Sequence, residues 1–196
     1  HTVAEVMAAT GGDAVDVLID VVLVEGAALT MVLPTLVPSL GGTDEGWAAR
    51  VEGWKDPRVR LGGSDAGAHA DMMCHANYPT VVLGEVVRDR GLLRLEDAVR
   101  MMTDEPARLY GLWDRGRLEV GAHADLVVFD PATVASAPAR ARHDLPADGL
   151  RLYAEAVGVD HVLVAGTEIV RHGEVTGALP GTVLRSGTDT ATVGRP

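Results

Sequence analysis

Asp65 closes the step Gly62-Gly63-Ser64-Asp65, and a carboxylate at the carboxyl end of a strand sits where α/β folds present reactive side chains. An aspartate there equally serves to cap the turn that follows, and the pattern alone favours neither use. His69 lies four residues on in the loop Ser64-Asp65-Ala66-Gly67-Ala68-His69, so both side chains can face one cavity, and His69 reads as an active-site residue rather than a solvated loop histidine. Cys74 and His75 complete a His-x4-Cys-His run of two zinc-binding chemistries. That spacing matches no closed zinc set and has no matching pair elsewhere, so Cys74 reads as a buried thiol and His75 as a loop histidine. Tyr78, in Tyr78-Pro79-Thr80, suits the mouth of a pocket or a turn. His123, His143, His161 and His172 read as surface residues, and Met72, Met73, Met101 and Met102 as core filling. The sequence holds no Walker motif, no Gly-x-Gly-x-x-Gly and no Gly-x-Ser-x-Gly, so nothing in it points to phosphate cradling, dinucleotide binding or serine-hydrolase chemistry.

Several elements would have to position these groups. Ala14, Val17, Leu18, Val21 and Val22 recur at helical spacing, which predicts a helix from Asp13 to Glu25. Ala28 to Val37 is a continuous apolar run closed by Pro38 and reads as a buried strand. Thr43 is placed to cap a helix that opens with Asp44 and Glu45 and stops near Asp56-Pro57. Arg58 to Ser64, carrying Val59 and Leu61, reads as a second strand, so the three segments form a βαβ unit leading into the Asp65 loop. Leu95 to Met102 is helical by its spacing, Thr103 can cap another helix over Asp104-Glu105-Pro106, and Gly111 ends it. Beyond Gly116 the period turns extended, with a strand from Ala124 to Asp130. A hairpin follows, in which Val162-Leu163-Val164 and Ile169-Val170 flank Ala165-Gly166. Pro131 to Gly149 reads as a long surface connection, and residues from Gly187 on as a frayed tail.

The 196 residues carry 17 Lys and Arg against 28 Asp and Glu, a net charge of −11, which is the wrong sign for neutralising phosphates, so no nucleic-acid partner is expected. Hydrophobic residues make up 47%, enough for a sizeable core. Asp20 and Glu25 interrupt the most apolar region, which excludes a membrane span there. A single cysteine and a start without a signal-peptide pattern lead us to expect a cytoplasmic protein.

Taken in order, Gly62-Gly63-Ser64-Asp65, Tyr78-Pro79, the run Leu95 to Thr103, Pro106-Ala107-Arg108, Gly111-Leu112, Asp114-Arg115-Gly116 and Gly121 to Pro131 resemble the amidohydrolase superfamily. The closing Gly173 to Gly177, Pro180-Gly181 and Val183-Leu184-Arg185 are most similar to its N-acyl-D-amino-acid deacylase (D-aminoacylase) branch. The resemblance implies an α/β fold: the C-terminal part of a metal-dependent (β/α)8 barrel over 1–115, part of a small β-sandwich over 116–186, and a disordered tail over 187–196. It implies a zinc-dependent hydrolase of a small-molecule amide. Asp65 would be both metal contact and general acid/base, and His69 and Tyr78 would line the substrate pocket. The family's His-x-His, its bridging Cys or carboxylated Lys and its two later histidines have no counterpart in this sequence, so the chain is expected to be inactive alone. A dihydropyrimidinase-like cyclic-amide hydrolase and a non-catalytic binding module are the alternatives. An open barrel piece would leave strand edges and the face of Val17, Leu18, Val21 and Val22 uncovered, so a homo-oligomer is expected.

Overall fold

The computed structural model describes residues 3–25, 43–64, 69–71 and 74–191, and the chain divides into two units, 1–37 and 38–196. In the first, α1 (Val3–Thr10) packs against α2 (Ala14–Glu25). The helix expected from Asp13 forms because the Asp13 carboxylate accepts the Val15 and Asp16 amides at 2.8 and 3.1 Å, satisfying N-terminal donors that have no partner inside the helix. The apolar face expected to stand uncovered is in fact shielded: Val17 is buried and Leu18, Val21 and Val22 are half-buried. The exposed apolar side chains of α2 are Val15, Ile19, Leu23 and Val24.

The second unit opens with α3 (Asp44–Trp54), where the Gly46 amide donates to Thr43 Oγ1 at 3.1 Å, the cap that Thr43 predicts. A helix that the sequence reading did not foresee follows the Asp65 loop. It is α4 (Tyr78–Val81), running on into a π-helical stretch, Val82–Asp89. Then come α5 (Leu95–Met102) and α6 (Asp104–Leu109). Thr103 does not cap α6; its hydroxyl donates back to the Val99 carbonyl at 2.7 Å. Two small cores form where these helices meet. Val82, Leu83, Ala98 and Val134 make one, and Trp47, Val51 and Val86 the other, with Trp54 and Leu93 packed against both. Burying a side chain such as Val51 or Val86 contributes on the order of 1.5 to 3 kcal/mol.

The expected strand from Arg58 to Ser64 is not formed, and with it goes the βαβ unit among the described residues. A strand exists only through ladder bonds to a neighbour, and here the Val59 amide turns back to the Asp56 carbonyl at 2.9 Å. The other half of that unit, Ala28 to Val37, lies outside the described residues.

Beyond Gly116 the chain is extended, as the change of period predicts. Strands β1 (Leu126–Phe129), β6 (Val159–Val164), β7 (Thr167–Arg171) and β8 (Glu174–Val175) form one antiparallel sheet in the order β1-β6-β7-β8. The foreseen hairpin is the β6-β7 pair, turning through Ala165 and Gly166 at φ 48° and 77°. Pro131 to Gly149 is not a mere connection. It contains β2 (Ala135–Ser136), which pairs with β5 (Ala156–Val157), and β3 (Arg140–Leu145), which pairs with β4 (Gly149–Tyr153). Every residue of β3 is exposed, so no apolar alternation marks it in the sequence. In the segment read as a tail, the Ala191 amide donates to the Gly111 carbonyl at 3.0 Å, while 192–196 lie outside the described residues. Among the described residues, no helix is long and apolar enough to cross a membrane.

Candidate active site

Asp65 lies outside the described residues, but the chain on either side of it is described. Gly63 precedes it at φ +76°, a left-handed conformation that only glycine adopts without strain. A Cβ at Gly62 or Gly63 would meet nothing within 4 Å among the described residues. His69 is exposed and also left-handed, at φ 47°. Tyr78 is the first residue of α4, with Pro79 in the first helical turn; a helix start, not a simple turn, is the use of Tyr78-Pro79-Thr80.

Two cavities flank this segment. The first, of about 420 Å3, is lined by Tyr78, Leu83, Met102, Asp125, Phe129 and Val159, among others. It lies between α4, α5 and the sheet, and the one carboxylate on its described walls, Asp125, is already engaged: it accepts the Ala165 amide at 2.8 Å and pairs with Arg115. Burial works against ionising Asp125, yet the Ala165 amide and the Arg115 guanidinium outweigh it and hold the carboxyl below its ordinary value.

The second cavity, of about 580 Å3, lies between the β3-β4 hairpin and the chain that follows Asp65. Ala70, Cys74, His75 and Asn77 supply one wall, and Leu145, Arg151, Leu152 and Tyr153 the other. The hairpin is pinned to this chain where the Leu152 amide donates to the Ala70 carbonyl at 2.7 Å, and Asn77 Nδ2 donates to Ser136 Oγ at 2.8 Å near its base. Arg151 donates through Nε and Nη2 to both oxygens of Asp144, at 2.6 and 2.7 Å, a paired fork that holds the Asp144 carboxyl below its ordinary value. Two guanidinium groups lie over the Tyr153 ring, Arg142 at 4.1 Å and Arg151 at 4.8 Å from its centre. This hairpin is not among the elements expected from the sequence. The signal that marks it is the turn run Pro146-Ala147-Asp148-Gly149 between two short extended segments.

The described walls do not bring the three candidate residues into one cavity: Tyr78 lines the smaller, and His69 is on the wall of neither. Among the described residues, no three His, Cys, Asp or Glu side chains converge as a metal site would require. They do not fit a zinc centre by themselves. Cys74, read as a buried thiol, is a half-buried free thiol, and His75 is exposed. His161, read as a surface residue, is only half-exposed; its Nδ1 lies 2.5 Å from Glu168 Oε1, and its ring meets His172 edge-on at 5.0 Å.

Comparison with known proteins places these segments. Residues 26–170 match the model of the amidohydrolase family. Over 117 residues the chain is 44% identical to an N-acyl-D-glutamate deacylase of Alcaligenes xylosoxydans xylosoxydans, covering 60% of this chain and 22% of that protein. Over 147 residues it is 30% identical to an L-hydantoinase of Paenarthrobacter aurescens, covering 71% of this chain and 30% of that one. Among solved structures, it is 48% identical to the N-acyl-D-glutamate deacylase of Bordetella bronchiseptica, complexed with zinc and a phosphonate inhibitor, over 46% of this chain and 17% of that one, with a TM-score of 0.36. The chain thus spans about a fifth to a third of the length of the curated relatives named. With the family's model matched from residue 26 to residue 170, across Asp65 and both cavity walls, the chain belongs to the amidohydrolase family.

Proposed function

We propose that the complete protein containing this chain hydrolyses the amide of N-acyl-D-amino acids, releasing a D-amino acid and a carboxylate. The observation that carries this reading is the 44% identity to an N-acyl-D-glutamate deacylase over a stretch covering 60% of the chain, within a family match that includes Asp65. Asp65 takes a proton from the attacking water as a base and returns it, as an acid, to the leaving nitrogen, so one carboxylate serves both halves of the reaction. His69 and Tyr78 are assigned to the substrate in this reading, Tyr78 from the wall of the smaller cavity and His69 from the chain that follows Asp65. Zinc is the metal we assign to the complete protein, with Asp65 as one contact; since the described residues supply no ligand set, no step is built on it. Residues 1–115 are the barrel portion in this reading and 116–186 the β-domain portion, in a cytoplasmic homo-oligomer.

The L-hydantoinase match, which reaches across 71% of the chain, favours a second reading, hydrolysis of a cyclic amide. A panel of N-acyl-D-amino acids, N-acyl-L-amino acids and hydantoins, given to the complete gene product, separates the two. Turnover of the acyl-D compounds is expected, and turnover of hydantoins alone overturns the deacylase reading.

A further inference from the structure

We propose that the cavity between the β3-β4 hairpin and the chain after Asp65 receives the acyl chain of the substrate, with Leu152 setting the chain length accepted. The proposal rests on the deacylase reading above and adds to it a subsite and a specificity residue.

At about 580 Å3 the cavity falls in the range of small-molecule sites. Its walls are mostly apolar: Ala70, Ala76 and Pro79 on one side, Leu145, Leu152 and Ala156 on the other. Arg151 is the one Asp, Glu, Lys or Arg on its described walls, and its charge is matched by the forked pair with Asp144. An incoming carboxylate therefore meets a neutral pair rather than a free cation, while an apolar chain meets apolar surface. Of the two ends of an N-acyl amino acid, the acyl end is the one that fits. Position supports the same assignment. Ala70 lies five residues after Asp65, so its Cα is at most ~18 Å from that of the acid/base residue. The hydrogen bond from the Leu152 amide to the Ala70 carbonyl fixes the Leu152 wall to that same chain.

The complete protein carries the test, with N-acetyl-D-glutamate and N-octanoyl-D-glutamate as probes. The ratio of kcat/KM for octanoyl over acetyl is expected to fall roughly 50-fold in Leu152→Trp, where the indole fills the space of about three methylenes. In Leu152→Ala, which enlarges the cavity, the same ratio is expected to rise. Cys74, half-buried on the opposite wall, gives a readout that needs no turnover. Its modification by iodoacetamide, followed on its own peptide by mass spectrometry, should slow severalfold with the octanoyl probe, less with the acetyl probe, and should lose that protection in Leu152→Trp. Protection of Cys74 without hydrolysis of either compound supports the acyl subsite and defeats the deacylase reading. Hydrolysis of both, with Cys74 unprotected and the ratio unmoved in both variants, overturns the subsite and leaves the deacylase reading standing.

Discussion

The role proposed for Asp65 and the role of Asp125 ask opposite things of the same functional group. Asp65 follows a left-handed Gly63, and the reaction proposed for it needs a carboxyl that gains and loses a proton. Replacing Asp65 with Asn in the complete protein keeps the shape and removes that capacity. We expect kcat to fall at least 1,000-fold, about 4 kcal/mol in the barrier, while circular dichroism is unchanged. Residual activity within tenfold of wild type would remove Asp65 from the chemistry. Asp125 is instead held ionised: burial opposes its charge, but the Ala165 amide and Arg115 keep its folded pKa below the ordinary 3.8. A carboxyl whose pKa is lowered on folding adds stability above its unfolded value, and that contribution is lost as pH falls through the folded value. Asp125→Asn should therefore melt roughly 2–4 °C below wild type at pH 6, for the ~1 kcal/mol of a charged hydrogen bond, and the gap should close below pH 4. Melting curves from pH 6 to 3 check it, and a gap that widens on acidification would contradict this account.

Among the elements, those with a strong local signal were legible in the sequence. The Asp13 and Thr43 caps, the spacing from Leu95 to Met102 and the Ala165-Gly166 turn each specify structure without help from distant residues. Elements that depend on a neighbour were not. Val59 and Leu61 have strand composition but no ladder to join among the described residues, so composition alone misled. The helix from Tyr78 was hidden by the β-branched Val81, Val82, Val86 and Val87. Its signal was there in Pro79 at the first turn and in Val82, Leu83 and Val86 buried on one face, opposite Glu85, Arg88 and Asp89. Of the candidate site, Asp65 and its glycines were readable as a motif, whereas the hairpin wall was not, because β3 is exposed throughout. The same hairpin carries a correctable cost. Ala147 and Asp148 both sit at positive φ, 59° and 58°, as the two central residues of the turn Pro146-Ala147-Asp148-Gly149, positions that favour Asn-Gly. The double change Ala147→Asn with Asp148→Gly should stabilise the fold by about 1 kcal/mol, read as a higher denaturant midpoint at unchanged slope. Gly84 marks the opposite limit. A Cβ there would stand 2.9 Å from the Val134 carbonyl oxygen, so Gly84→Ala should destabilise by roughly 1–3 kcal/mol in the same assay.

At the scale of the whole molecule, the four-stranded sheet ends on the four-residue strand β1. β1 bonds to β6 on one side, and among the described residues no strand bonds to its other side. Val127 and Val128, which point to opposite faces of β1, are 56% and 48% exposed, and Leu118 and Val120 stand exposed just upstream. An edge strand with apolar side chains on both faces, no lysine or proline of its own and, among the described residues, no strand against its open side is a template for pairing with a second copy. Against this stands the net charge of −11, which makes two copies repel at long range. The contact is short-ranged and the repulsion is screened by salt, so the balance can be tuned. Light scattering on the purified chain at high micromolar concentration should report a dimer or larger species, with the monomer fraction falling as salt rises from 20 to 500 mM, where the Debye length shrinks from roughly 20 to 4 Å. Val128→Lys places a charge on the open edge without touching either buried core, and should return the chain to monomer at low salt while its melting transition remains. A wild-type chain that stays monomeric across that salt range would mean the β1 edge is covered from within the chain, by residues outside those described.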